Sequence, residues 1–318
     1  MNRLRLPTLF ILVLLLILLI GCTPPATPAP TAAPIEAPTA EGRTFVLGDI
    51  ADDPAEVIAG MQPLADYLAA QLKDQGITEG QVKIAASAEE MEQLLKDGEV
   101  DLYFDSVYPA MLISDASGAQ PLLRRWRRGV GEYHTVIFTS KESGITSVDE
   151  LKGHLIALDN EFSTSGFVLP AAYLTEQGLT LVGKESYDES AAADEVGFVF
   201  SHADENTLQW VLSGNVAAGA TDNNHFEDYP KEAADQLVML AETESVPRQV
   251  VLVRPGMDQS LLEAVNKALL EADESEDGKA ALQNFDKTSQ FDEFPQGIDA
   301  ALKRMRELQE IVAGIKMP

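Results

Sequence analysis

The sequence predicts an α/β protein of two lobes, each built on a mainly parallel sheet flanked by helices. Three observations predict it. From Thr44 onward, short β-favouring runs alternate with amphipathic helical stretches, the order that builds parallel sheets covered on both faces. The chain has 318 residues, 45% of them hydrophobic, enough for two cores and too apolar for wholesale disorder. Two strand-like runs, Val136–Thr139 and Gln249–Val253, are placed to carry the chain between lobes as a hinge. The expected division is 44–136 plus 252–318 in one lobe and 137–251 in the other.

The elements follow in order. Thr44–Gly48 reads as a strand. A helix over 54–73 begins at Pro54, a residue suited to a first helical turn, and carries Val57, Ile58, Met61, Leu64, Leu68 and Leu72 on one stripe. Val82–Ala85 is the next strand, and Ser87-Ala88-Glu89-Glu90 is a capping box opening a helix that Gly98 stops. Val100–Phe104 is a strand, and Asp105-Ser106 opens another helical stretch. Ser147-Val148-Asp149-Glu150 is a second capping box, on a short helix ended by Gly153. Strand Leu155–Leu158, helix 166–177, strand Val196–Phe200, helix 203–213 and strand Val216–Ala220 then alternate. The last helix repeats Ile298, Leu302, Met305, Leu308, Val312 and Ile315 at helical spacing.

Ahead of the folded part lies an address. Arg3 and Arg5 precede an apolar run from Leu9 to Ile20, short for a bilayer crossing and right for a secretory signal over 1–21. Leu19-Ile20-Gly21-Cys22 resembles a bacterial lipobox, which implies that the only cysteine is acylated at the mature N-terminus and anchors the protein outside the cytoplasm. The alternative is an ordinary signal with an incidental cysteine. Residues 23–41 hold six prolines and no apolar periodicity, an extended tether within a linker expected over 22–43.

The balance of charges excludes several classes. With 51 acidic and 23 basic side chains the net charge is −28; loss of the signal leaves 21 basic residues and −30. A nucleic-acid binder needs a basic footprint instead. One cysteine excludes an internal disulfide framework and a multi-cysteine metal site.

In open α/β sheets, ligands bind beyond the carboxyl ends of strands. There the chain places Asp105, Ser106 and Tyr108; Asp159 and Asn160; Ser201-His202; and Thr221-Asp222-Asn223-Asn224. Turns favour such residues in any protein. Ser163-Thr164-Ser165-Gly166 at an expected helix start suits an anion, through hydroxyls, free N–H groups and the positive end of the helix dipole; the plain alternative is a serine cap. No Gly-Lys-Ser/Thr follows, so it is not a nucleotide-binding P-loop. His202 offers a donor, and Asp222 an acceptor for a P–OH group or an amine, or simply a cap.

Six short motifs then stand in one order: Glu132-Tyr133-His134-Thr135, Ser143-Gly144-Ile145, Leu151-Lys152-Gly153, Ser163-Thr164-Ser165-Gly166 with Pro170, Ser201-His202 and Thr221-Asp222-Asn223. The series resembles the phosphonate-, phosphite- and phosphate-binding proteins of ABC importers over nearly all of 44–318. That resemblance implies a type II periplasmic-binding-protein fold, no cofactor, a membrane permease as partner and a small oxyanion as ligand. It also implies that Tyr133, Ser163, Thr164, Ser165, His202 and Asp222 contact the ligand, with Tyr108 reaching in from the other lobe. Three departures bear on which oxyanion binds: Thr135 in place of Ser, Ser201 in place of Gly, and Asp105-Ser106 in a loop that relatives make Gly- and aromatic-containing.

Arg124, Arg125, Arg127 and Arg128 flank Trp126 just before the expected hinge. They read as a solvated strand answering nearby carboxylates, with Arg127 a candidate for the cleft. The expectation is therefore an anion held by hydroxyls and amides rather than formal cations, since exposed charge is screened over about 8 Å while local donors act at contact. Other readings of the same residues are a sensory receptor of this fold, a hydrolase using Ser163 or Ser165 with His202 and Asp222, and a metal site from His134, His202, His225 and Asp222.

Overall fold

The computed structural model describes residues 42–318 except Asp52; the expected signal, Cys22 and the tether up to residue 41 lie outside the described residues. The first lobe opens with β1 (Arg43–Ile50), α1 (Pro54–Gln71), β2 (Ile77–Ala85), α2 (Ala88–Asp97), β3 (Leu102–Asp105), α3 (Val107–Ser117) and β4 (Gln120–Arg125). After β5 (Glu132–Tyr133) the second lobe holds β6 (Thr135–Ser140), β7 (Leu155–Leu158), α4 (Leu169–Glu176), β8 (Leu181–Gly183), β9 (Val196–Phe200), α5 (Asp204–Leu212) and β10 (Ala218–Asp222), then α6 (Asn223–Glu227), α7 (Lys231–Ala234) and β11 (Leu237–Glu242). The chain returns through β12 (Val246–Pro247) to β13 (Gln249–Val253), α8 (Gln259–Leu270), α9 (Glu276–Asn284), β14 (Phe291–Asp292) and α10 (Ile298–Val312).

The two six-stranded sheets run β14-β4-β13-β3-β1-β2 and β11-β6-β10-β7-β9-β8. In the first, β2, β1, β3 and β4 share a direction that β13 and β14 oppose; in the second, β6 alone runs against the rest. Mainly parallel sheets buried on both faces need apolar strands, and β6, β7 and β13 are buried along most or all of their length. The lobes are joined by a two-stranded ribbon in which Tyr133 pairs with Val246 and Glu132 with Pro247. Because β13 belongs to the first sheet, the return crossing lies at 243–248, ahead of the strand expected to form it.

Packing explains the strand edges. Asp101, only 1% exposed, accepts from the Val46 amide at 3.0 Å and from Arg254 Nε at 2.8 Å and pairs with Arg43, so one buried carboxylate ties β1 to the turns bounding β3 and β13. The first lobe's core gathers Phe45, Leu64, Leu68, Phe104, Val251 and Leu269; the second has its own around Val136, Phe138 and Val199. A further cluster joins Met111 and Ile113 of α3, Phe167 and Leu174 beside and on α4, and Leu302, Met305 and Leu308 of α10. The last helix, expected in the first lobe, thus packs against both lobes, and each such buried Leu or Met contributes roughly 1.5–3 kcal/mol. Both lobes form one compact unit over Glu41–Pro318.

Several local expectations shift. The strand expected at 216–220 runs Ala218–Asp222, so Thr221 and Asp222 end the strand rather than follow it. The helix expected at 166–177 is a π-type turn, Thr164–Val168, running into α4. The Ser147 capping box closes a 3-10 turn over Val148–Leu151. The arginine segment is a strand, Gln120–Arg125, as expected, but it is not solvated: Arg124 and Arg125 are 4% and 2% exposed.

Candidate functional site

The π turn is held open by its neighbours. Ser163 Oγ accepts the Gly166 amide at 3.0 Å, the Ser163 carbonyl accepts from Phe167 and Val168, and Thr135 Oγ1 donates to the Ser165 carbonyl at 2.7 Å. The Thr164 and Ser165 amides find no acceptor among the described residues, which is how a helix start presents donors to an anion. Gly166 is required for packing rather than for the ligand: a Cβ there would lie 2.3 Å from Asp159 Cβ. Isolated π turns are frequent at functional sites.

Between the lobes this turn walls a cavity of about 150 Å³. The second lobe and the connecting ribbon supply Tyr133, Ser163, Thr164, Ser165, Asp222, His225 and Arg248, and the first lobe supplies Ser106, Arg127 and Gln249. Two larger cavities adjoin it. One of about 600 Å³ shares Arg127 and Gln249, and one of about 760 Å³ shares Ser106 and Ser163.

Arg248 is the feature that local sequence patterns did not disclose. It sits between β12 and β13, its amide donating to the Gly131 carbonyl at 2.9 Å, and it is 5% exposed. Its guanidinium lies 4.7 Å from the Tyr133 ring centroid and 3.6 Å from Asp222 Oδ1, yet Nε is buried without a hydrogen-bond partner. A buried guanidinium with an unused Nε donor is costly, and an acceptor in the cavity would relieve it. Arg127 Nε is also without a hydrogen bond, 3.2 Å from Asp286 but not in bonding geometry. Formal cations therefore line the cavity, contrary to the expectation of hydroxyls and amides alone. The other arginines are committed elsewhere: Arg124 to Asp292 and Glu132, Arg125 to Gln249, Thr288 and the Phe285 carbonyl. Arg128 is exposed.

Asp222 lines the cavity, but its carboxylate is already occupied. Oδ1 caps α6 through the Asn224 and His225 amides at 2.9 and 3.3 Å, and Oδ2 meets His225 Nδ1 at 2.6 Å. Burial disfavours its charge, but the His225 hydrogen bond and the nearby Arg248 charge prevail and hold the carboxyl well below the usual carboxylate range. Reciprocally, the hydrogen bond to Asp222 pushes His225 upward against burial, with Asp204 at 3.3 Å adding to the rise. Burial pushes the Tyr133 hydroxyl up to about 12 in spite of Arg248, so it is a donor at physiological pH.

Five of the seven expected contacts, Tyr133, Ser163, Thr164, Ser165 and Asp222, are thus brought together; two are not. His202 is exposed in a left-handed conformation (φ 58°), its ring 6.1 Å from Phe200, and does not line the cavity. Ser201 turns inward instead, bonding the Leu158 carbonyl and Thr207. Tyr108 contributes its backbone amide, which donates to Thr164 Oγ1 at 3.0 Å, rather than its ring. With His202 outside the cavity, the serine–His202–Asp222 triad is not assembled. His134 pairs with Glu242 and His225 with Asp222, and no metal-holding group of three or more such side chains occurs among the described residues. Nor is any described helix long and apolar enough to cross a membrane.

Comparison with known proteins agrees with this architecture. A family model described as ABC transporter, phosphonate, periplasmic substrate-binding protein matches residues 50–296. The Xanthomonas citri protein XAC2383, in a structure with chloride bound, is 31% identical with a TM-score of 0.77, covering 85% of this chain and 97% of its own; its structure with ATP bound aligns at 29% identity and a TM-score of 0.76, over the same shares of the two chains. PhnD1 from Prochlorococcus marinus, in complex with methylphosphonate, shares the fold at 16% identity and a TM-score of 0.63, covering 86% and 99%. A binding-protein component of an ABC phosphonate transporter from Pseudomonas aeruginosa (PA3383) does so at 16% and 0.58, covering 85% and 86%. The two-lobed fold, the motif order and the matched span place the chain in the phosphonate-binding family of periplasmic substrate-binding proteins, which capture a small ligand for an ABC transporter permease.

Proposed function

We propose that the protein is a lipid-anchored extracytoplasmic receptor that captures a small phosphorus oxyanion, namely phosphonate, phosphite or phosphate, between its lobes and delivers it to the permease. The observation carrying the oxyanion is the buried guanidinium of Arg248, its Nε without a hydrogen-bond partner, beside the free amides of Thr164 and Ser165. Neutral amides and hydroxyls give direction, while Arg127 and Arg248 supply the countercharge. Each charge-assisted hydrogen bond is worth roughly 1.5–3 kcal/mol net, so three or four of them outweigh the screened global charge of −30 left once the signal is lost. The Xanthomonas citri relative is described with chloride and with ATP bound, and the Prochlorococcus protein with methylphosphonate, all of them anions, which supports an anionic ligand.

Thermal denaturation against a panel of phosphate, phosphite, methylphosphonate, nitrate and free amino acids tests the reading. Ligand at a hundredfold excess over Kd stabilises by about 2.7 kcal/mol, a shift of several degrees in Tm for a chain of this size. At least one phosphorus oxyanion produces that shift and the amino acids do not; a panel without any oxyanion shift refutes the reading. The anchor is tested separately by palmitate labelling in cells, which the wild-type chain takes up and Cys22→Ala does not.

A further inference from the structure

One hydrogen bond, withheld by Pro170 and restored by Thr135, keeps the π turn wound as it is. In an α-helix each amide serves the carbonyl four residues earlier. Here the Leu169 amide reaches the Thr164 carbonyl, five back, and the Val168 amide reaches Ser163, also five back. The same spacing assigns the Ser165 carbonyl to residue 170, which is Pro170 and has no N–H. Left to itself that carbonyl would be an orphan in a half-buried turn, a costly state. The Thr135 hydroxyl stands in for the missing amide and donates to it at 2.7 Å.

Thr135 is built to hold that position. It opens β6 and is fully buried. Its amide donates to Thr243 Oγ1 at 2.9 Å, its carbonyl accepts the Thr243 amide at 2.9 Å, and it pairs with Asp222 on β10. The residue is therefore fixed by the return crossing on one side and by the second sheet on the other, yet it does not line the anion cavity. Without its hydroxyl, the Ser165 carbonyl recovers a donor by rewinding the turn to α spacing, the Leu169 amide moving from Thr164 to Ser165. Rewinding turns the Thr164 and Ser165 peptides, whose amides are the neutral donors of the anion site.

We infer that Thr135 is a positioning residue for oxyanion binding: its hydroxyl replaces the amide that Pro170 lacks and holds the turn at the spacing that presents the Thr164 and Ser165 amides. The inference rests on the anion site proposed above and adds to it a residue outside the cavity on which affinity depends.

Calorimetric titration with phosphate, phosphite and methylphosphonate, beside thermal denaturation, tests it. Thr135→Ser keeps the hydroxyl and binds within about twofold of wild type. Thr135→Val keeps the shape without the donor and binds the same oxyanion about tenfold more weakly or worse, the equivalent of one charge-assisted hydrogen bond. Pro170→Ala alone binds within about twofold. Added to Thr135→Val, it supplies the missing amide and recovers most of the affinity, a rescue that a role in stability alone would not give. Thr135→Cys, whose thiol is a weak donor, shows an intermediate loss and serves if Thr135→Val does not fold. A Thr135→Val or Thr135→Cys protein that melts lower yet binds within about twofold refutes the inference and leaves the anion site standing; so does a double variant as weak as Thr135→Val alone. If the wild type binds none of the three oxyanions, the anion site fails and takes this inference with it.

Discussion

The backbone amide of Tyr108 donates to the hydroxyl of Thr164 at 3.0 Å, joining the first turn of α3 in one lobe to the π turn in the other. The bond satisfies an orphan donor at a helix start with an acceptor that is itself 1% exposed. Thr164→Val keeps the shape and removes the acceptor. It lowers unfolding free energy by about 1–2 kcal/mol, the cost of a buried donor left unpaired. It also lets the unliganded lobes rest further apart, seen as a larger radius of gyration by solution scattering. An unchanged urea midpoint and radius would show that the contact does not hold the lobes.

Arg248 makes separate predictions for stability and binding. Its guanidinium is buried with Nε unpaired, but it pairs with Asp222 at 3.6 Å and stacks on Tyr133, so its removal leaves the buried Asp222 carboxylate with one countercharge fewer. Arg248→Met lowers the stability of the unliganded protein by about 1–3 kcal/mol, while oxyanion affinity falls roughly tenfold to a hundredfold, the equivalent of one charge-assisted hydrogen bond. Parallel denaturation and calorimetry check both halves. A variant that unfolds easily yet binds normally would make Arg248 a scaffold residue.

The Asp222–His225 pair sets a pH window. His225 is raised above its ordinary 6.5, chiefly by its hydrogen bond to Asp222, so its contribution is full below that value and fades as pH climbs through the raised one. Asp222 is lowered below 3.8: burial works against it, but the His225 bond and Arg248 prevail, so its contribution is full above 3.8 and fades only in strong acid. The pair therefore stabilises fully between about pH 4 and 6.5 and weakens on the alkaline side. His225→Asn flattens that alkaline limb in a Tm-against-pH series; an unchanged slope would mean the pair does not titrate as its geometry requires.

Asp49 acts in the other sense. Burial, together with the nearby Asp105 charge and in spite of the Ile50 amide at 2.7 Å, pushes its carboxyl up to about 6. Holding that charge costs the folded state stability as pH rises from 3.8 to 6 and at every pH above, on the order of 3 kcal/mol. Asp49→Asn, whose carbonyl oxygen still accepts from Ile50, raises Tm at pH 7.5 and leaves it unchanged at pH 4. Equal effects at both values would place the cost outside ionisation.

How much was legible follows from local chemistry. Capping serines, Pro54 and the apolar strand runs act over a few residues, so the alternation of elements and the small-hydroxyl turn at Ser163–Ser165 could be read directly. The burial of Arg124 and Arg125 was hidden because their partners stand 120 to 170 positions away, such as Asp292 and Gln249. Arg248 hid for the same reason, since only the pairing of β5 with β12 stacks it on Tyr133. An isolated basic residue beside the expected crossing at Gln249–Val253, in a chain this acidic, was the available signal. His202 misled because the strand-end rule locates a residue but not its ring; the positive φ at that position turns it out.

A crystal structure with methylphosphonate, or with whichever oxyanion stabilises most, tests the central claim most directly. The oxyanion should lie between the lobes, within hydrogen-bond distance of the Thr164 and Ser165 amides and of the Arg248 guanidinium. An oxyanion bound away from that turn, with Arg248 still unpaired, would contradict the account.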